Sequence, residues 1–150
     1  MKETMNLKLA LLSASKPSVI DDLGNGHGTV LYNHHIKEVS VIESNDIEGG
    51  GSSVTVTTDD DKNATGKRWQ YDSLRVEYPT TANHIFETLI GEVYPVDVQQ
   101  KLYNDYQAAA FGLSDDDEAE TKYKAFLKDR IALKSMVKAD CESNNIPEGI

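Results

Sequence analysis

The sequence predicts an α+β fold, with an antiparallel β-meander from the N-terminal half packed against two or three C-terminal helices. Up to Tyr78 the chain is rich in Val, Thr, Gly and Asn, with stretches of period-2 alternation. After Pro79 it is rich in Ala, Leu, Lys and Glu, and its apolar residues recur at helical spacing. All strand candidates precede all helix candidates, which argues against alternating βαβ units. At 150 residues the chain reads as one domain, 1–150. Within it, 1–78 is mainly strands and loops, 79–143 is helical, and 144–150 is a loose tail.

Leu7 to Leu11 is a short first strand that extends the meander. Thr29 to Glu43 is the longest strand candidate. Val30, Tyr32 and Ile36 share one parity, Val39 and Val41 the other, so a bulge or turn near Lys37-Glu38 must switch the buried face. Gly49-Gly50-Gly51 reads as a hairpin tip, and Val54 to Thr58 is a strand by composition. Asp59 to Gly66 is a polar loop. Lys67 to Tyr78 is the last strand, with Trp69 and Tyr71 on one face and Leu74, Val76 and Tyr78 on the other.

Thr80 or Thr81 caps a helix that runs to about Val93 on the stripe Ile85, Phe86, Leu89 and Ile90. Pro95 opens a second helix, with the stripe Val98, Leu102, Tyr106, Ala109 and Ala110, and Gly112 stops it. Ser114 is the N-cap expected for a third, whose first turn would hold Asp115 to Glu118 and whose end would hold Lys134 and Lys138. The expected core comprises Phe86, Leu89, Leu102, Tyr106, Phe126, Leu127 and Val137, with Trp69 against them.

Composition excludes several functions. Lys and Arg total 15 and Asp and Glu total 25, a net charge of -10. Bulk attraction to nucleic acid or an anionic membrane is therefore disfavoured. Cys141 is the single cysteine, so there is no internal disulfide and no multi-Cys zinc site. Lys8 interrupts the N-terminal apolar run, and no stretch approaches the ~20 apolar residues of a spanning helix.

The candidate constellations each fail on spacing. Gly24-Asn25-Gly26-His27-Gly28 precedes a strand, where a dinucleotide loop precedes a helix. His34 and His35 are adjacent in a strand, so they point to opposite faces and cannot share a metal without distortion. Asp59-Asp60-Asp61-Lys62-Asn63 lacks the Gly and Glu that an EF-hand needs at its sixth and twelfth positions. Cys141 has acidic neighbours and a helix C-terminus beside it, which raise a thiol pKa. Nothing selects Asp72 with Glu77, or Glu38 with Glu43, as an acid–base pair. No catalytic, cofactor or metal residues are expected.

At Trp69-Gln70-Tyr71-Asp72-Ser73-Leu74-Arg75-Val76, at Ala125 to Arg130 and at Met136 to Cys141, the chain resembles small uncharacterised proteins of phage and prophage gene clusters. The resemblance spans Trp69 to Cys141 and rests on cadence. It implies a virion component or an accessory protein made during infection, in the virion or the cytoplasm of an infected or lysogenic bacterium.

The resulting expectation is a non-enzymatic phage or mobile-element protein with a structural or assembly role. Its partners are other proteins, further copies of itself among them, with no direct contact to nucleic acid or membrane. The alternatives are an acidic inhibitor of a basic nucleic-acid-binding surface and a small enzyme. The loops Asp21–Gly28, Ser44–Ser53 and Asp59–Gly66 are the expected contact surface, with Tyr32, Trp69 and His27 as candidate partner-contact residues.

Overall fold

A computed structural model describes residues 7–46, 51–58, 62 and 64–149. The fold is α+β, an antiparallel sheet of N-terminal strands followed by three C-terminal helices. The strands are β1 Leu7–Ser13, β2 Ile20–Asp22, β3 Val30–Asp46, β4 Gly51–Thr57 and β5 Gly66–Val76; the helices are α1 Ala82–Val93, α2 Val96–Ala110 and α3 Ala119–Ser143. The chain groups into two compact units. One holds Lys8–Asp21 and Leu31–Leu74, and the other holds Asp22–Val30 and the chain from Arg75 onward.

In the sheet the strand order is β1-β5-β3-β2, and β4 pairs with the far end of β3. That antiparallel pairing sets Val41 opposite Val56 and Asp46 opposite Gly51. β2 is a three-residue strand too short to carry a periodic signal. Tyr32 and Val41 on β3 and Leu74 on β5 are fully buried. The switch of buried parity on β3 falls at Lys37-Glu38, two consecutive exposed residues between Ile36 and Val39; the left-handed residue of the strand, His35 at φ 52°, lies just before it. Residues 49, 50, 59–61 and 63, which carry most of the hairpin-tip and calcium-loop readings, lie outside the described residues.

The helical unit follows its apolar stripes more closely. Thr81 caps α1, accepting from the His84 N–H at 3.2 Å, and Ile85, Phe86, Leu89, Ile90 and Val93 are buried along one face. Pro95 occupies the N-cap of α2, and Gly112, at φ 73°, ends the helical run. α3 packs on both α1 and α2.

The structure departs from several of these expectations. α3 begins at Ala119 with Glu118 at its N-cap, not at Ser114. Ser114 and Asp116 instead form successive turns, accepting from the N–H groups of Asp116 and Glu118. No basic residue occupies the last turn of α3, because the helix continues past Lys138 to Ser143. Leu127 is 37% exposed, while its neighbour Phe126 is buried against the Tyr94 ring at 4.9 Å. No α2 residue is fully buried, so Leu102 and Tyr106 are only half-covered. Trp69 is half-buried in the sheet unit under the Lys16 ammonium, 5.4 Å from the ring centroid. The segment after Ser143 is docked: the Pro147 and Glu148 carbonyls accept from the Ala82 and Asn83 N–H groups at 2.8 and 3.0 Å. Those are donors that the first turn of a helix leaves without intrahelical partners.

Candidate functional site

The left-handed backbone at His35 reverses the orientation that an extended strand would give its side chain. His34 and His35 therefore converge on one space, with their Nδ1 atoms 2.6 Å apart. This overturns the expectation that they face opposite sides of the sheet. The distortion that joint ligation requires is present in the backbone. Asp72 on β5 completes the group, with Oδ2 3.6 Å from His35 Nδ1. One ligand atom from each of the three residues falls within 4.8 Å of the other two.

The two rings have different surroundings. His34 is buried and stacks on Tyr32, with centroids 5.1 Å apart and planes at 21°. Burial, and secondarily the charge of His35, pull the His34 imidazole down to about 4, with Asp72 opposing them. His34 is thus neutral at physiological pH, the form in which imidazole binds metals. His34 Nε2 is buried without a hydrogen-bond partner. The His35 side chain is 55% exposed, so the group opens to solvent on one side. A buried neutral imidazole, an exposed imidazole and a carboxylate can hold a divalent ion or share a proton.

The residues singled out from the sequence do not form this site. Tyr32 lies beside it as the stacking partner of His34 and is fully buried. His27 is exposed on the glycine loop, its N–H donating to Asn25 Oδ1 at 2.9 Å. Trp69 is half-buried, with the Lys16 ammonium over its ring. The suggested carboxylate pairs are separated by other partners. Glu38 meets Lys67, and Glu43 meets Arg68. Glu77 accepts from Thr29 and Arg75, which hold its carboxyl below the usual range. Cys141 is buried, and burial with Asp140 beside it pushes the thiol up to about 11.

A signal for the histidine pair was present in the sequence. His is among the residues most tolerant of left-handed φ, and two of them stand side by side within this strand.

A second feature lies on the helices. The turn after α2 exposes Phe111 at 74% and Leu113 at 81%, just before the acidic run Asp115 to Glu118. The outer face of α3 exposes Ile131 at 64% together with Leu127. Lys124, Lys128, Lys134 and Lys138 stand three to seven residues from Ile131 and are all exposed, with the Lys134 ammonium lying back over the Phe86 ring, 5.9 Å from its centroid. A cleft of about 550 Å³ between α2 and α3 is lined by Gln99, Tyr103, Asn104, Tyr123 and Phe126, with no carboxylate, histidine or cysteine in its wall. No helix among the described residues is long and apolar enough to cross a membrane. No family model, curated protein or solved structure matches this chain.

Proposed function

We propose that this chain is a non-enzymatic structural protein of a phage or mobile element that assembles head to tail with copies of itself. The observation that carries this is the charge and polarity of the α2–α3 hairpin. Its tip presents Phe111 and Leu113 beside four consecutive acidic residues, and the outer face of α3 presents Leu127 and Ile131 among four lysines. Apolar anchors with opposite charge at the rim are the pattern of a specific contact. Pairing α3 with α3 about Ile131 would set Lys128 against Lys134 and Lys124 against Lys138, so a two-fold contact is disfavoured. The acidic tip of one copy on the lysine-bearing face of the next sets opposite charges against each other. Such a heterologous contact closes into a ring or extends as a filament. The surface pairs Lys122–Glu118 and Lys124–Glu120 would exchange for intermolecular ones at little cost. The resemblance to phage and prophage proteins supports placing this role in a virion or an infected cell.

Sedimentation over a concentration series tests the proposal. The mass is expected to rise above 16.6 kDa with concentration. Asp116→Lys with Asp117→Lys, or Lys128→Glu with Lys134→Glu, is expected to leave monomers. All four substitutions in one chain restore complementarity and should restore assembly. A wild-type monomer at every concentration would overturn the proposal, as would assembly indifferent to both charge reversals.

A further inference from the structure

We propose that His34, His35 and Asp72 bind one divalent transition-metal ion of the zinc class, through His34 Nδ1, His35 Nδ1 and a carboxylate oxygen of Asp72. The three donors come from adjacent strands of one sheet, with β3 carrying the histidines and β5 the aspartate. They converge only because His35 is left-handed, a backbone state that non-glycine residues rarely hold. Strain of this kind is concentrated where side chains must be aimed.

The donor set selects the class of ion. Two imidazole nitrogens and one carboxylate suit zinc and its first-row neighbours, whereas calcium and magnesium take all-oxygen shells. The two Nδ1 atoms, 2.6 Å apart, cannot both carry protons at that distance. A tetrahedral ion bonded to each nitrogen at about 2.0–2.1 Å spaces them about 3.3–3.4 Å apart, so the rings must part by about 0.7–0.8 Å to seat it. Tyr32 stacked on the His34 ring fixes one ligand in place. The exposed side of His35 leaves coordination positions to water. With the ion on Nδ1, the His34 proton resides on Nε2, which lies buried beside the strand without a partner.

The competing occupant of the same space is a single proton shared between the rings. Metal titration distinguishes the two. Full-length protein stripped with chelator and freed of it is titrated with Zn²⁺ by calorimetry, and with Co²⁺ by visible absorption. One ion per chain is expected, with an intense Co²⁺ band of low-symmetry coordination that Zn²⁺ displaces. Asp72→Asn and His35→Asn should each weaken binding at least about tenfold. Asn tolerates the left-handed backbone, and circular dichroism confirms that both variants fold. His27→Ala and His84→Ala, which change histidines outside the cluster, should bind like wild type. Absence of stoichiometric Zn²⁺ binding would overturn the site in favour of the shared proton. Binding unchanged in both Asn variants, or lost in the His27 or His84 variant, would overturn it as well.

Discussion

The Ala82 N–H donates to the Pro147 carbonyl at 2.8 Å, tying the start of the first helix to the C-terminal segment. Asn83 makes the same contact with Glu148 at 3.0 Å. Gly149 runs so close to Thr81 that a Cβ on it would come within 2.7 Å of the threonine side chain. Deletion of residues 146–150 removes both acceptors. Each such bond is worth about 0.5–1.5 kcal/mol net, so a loss of about 1–3 kcal/mol is expected in urea unfolding. Unchanged stability would show that the segment rests on α1 without holding it.

Phe126 and Leu127 are neighbours with opposite fates. Phe126→Ala removes a buried ring packed on Tyr94 and is expected to cost about 3–5 kcal/mol. Leu127→Ala acts at a site 37% exposed and should cost less than about 1 kcal/mol. Denaturant melts of the two variants measure the difference, and equal losses would contradict the helix orientation described for α3.

The Cys141 thiol should resist alkylation in the folded protein. It is buried, and its ionisation is pushed up to about 11. Iodoacetamide at pH 8 should label it only after unfolding in urea, since the thiolate is the reactive form. Rapid labelling of the native protein would mean that the end of α3 opens readily.

Tyr94 donates its hydroxyl to Asp129, and burial, with that bond and the nearby carboxylate, pushes the phenol up to about 12 from its ordinary 10.0. The folded state therefore keeps this proton after the unfolded chain has released it. Stability should fall as pH rises from about 10 to about 12, because the unfolded state then binds fewer protons. Tyr94→Phe should flatten that part of the stability profile. A profile identical to wild type would remove Tyr94 as its origin.

Much of the helical half was legible because local signals there act alone. Thr81 caps α1, Gly112 stops α2, and the α1 stripe is buried as its spacing predicts. Ser114 misled because a serine followed by acids serves a turn as well as a helix start. The stripe of Leu102 and Tyr106 predicts core, yet periodicity tells which side is apolar, not whether anything covers it. The histidine cluster was hidden for a different reason. Period-2 alternation holds only while every residue stays extended, and one residue on β3 does not. The partnership with Asp72 depends on strand pairing, which alternation within one strand does not encode.

The left-handed residue in β3 also acts as a key that fits one alignment. Sliding β3 by one position against its neighbours would hand that backbone state to His34 or to Ile36. A β-branched isoleucine is a true outlier there, and moving His34 would strip its ring from Tyr32. Burial of Tyr32 and Val41 acts in the same direction, since a one-residue slip turns every side chain to the other face. Misaligned pairings of β3 are thus penalised at a single residue.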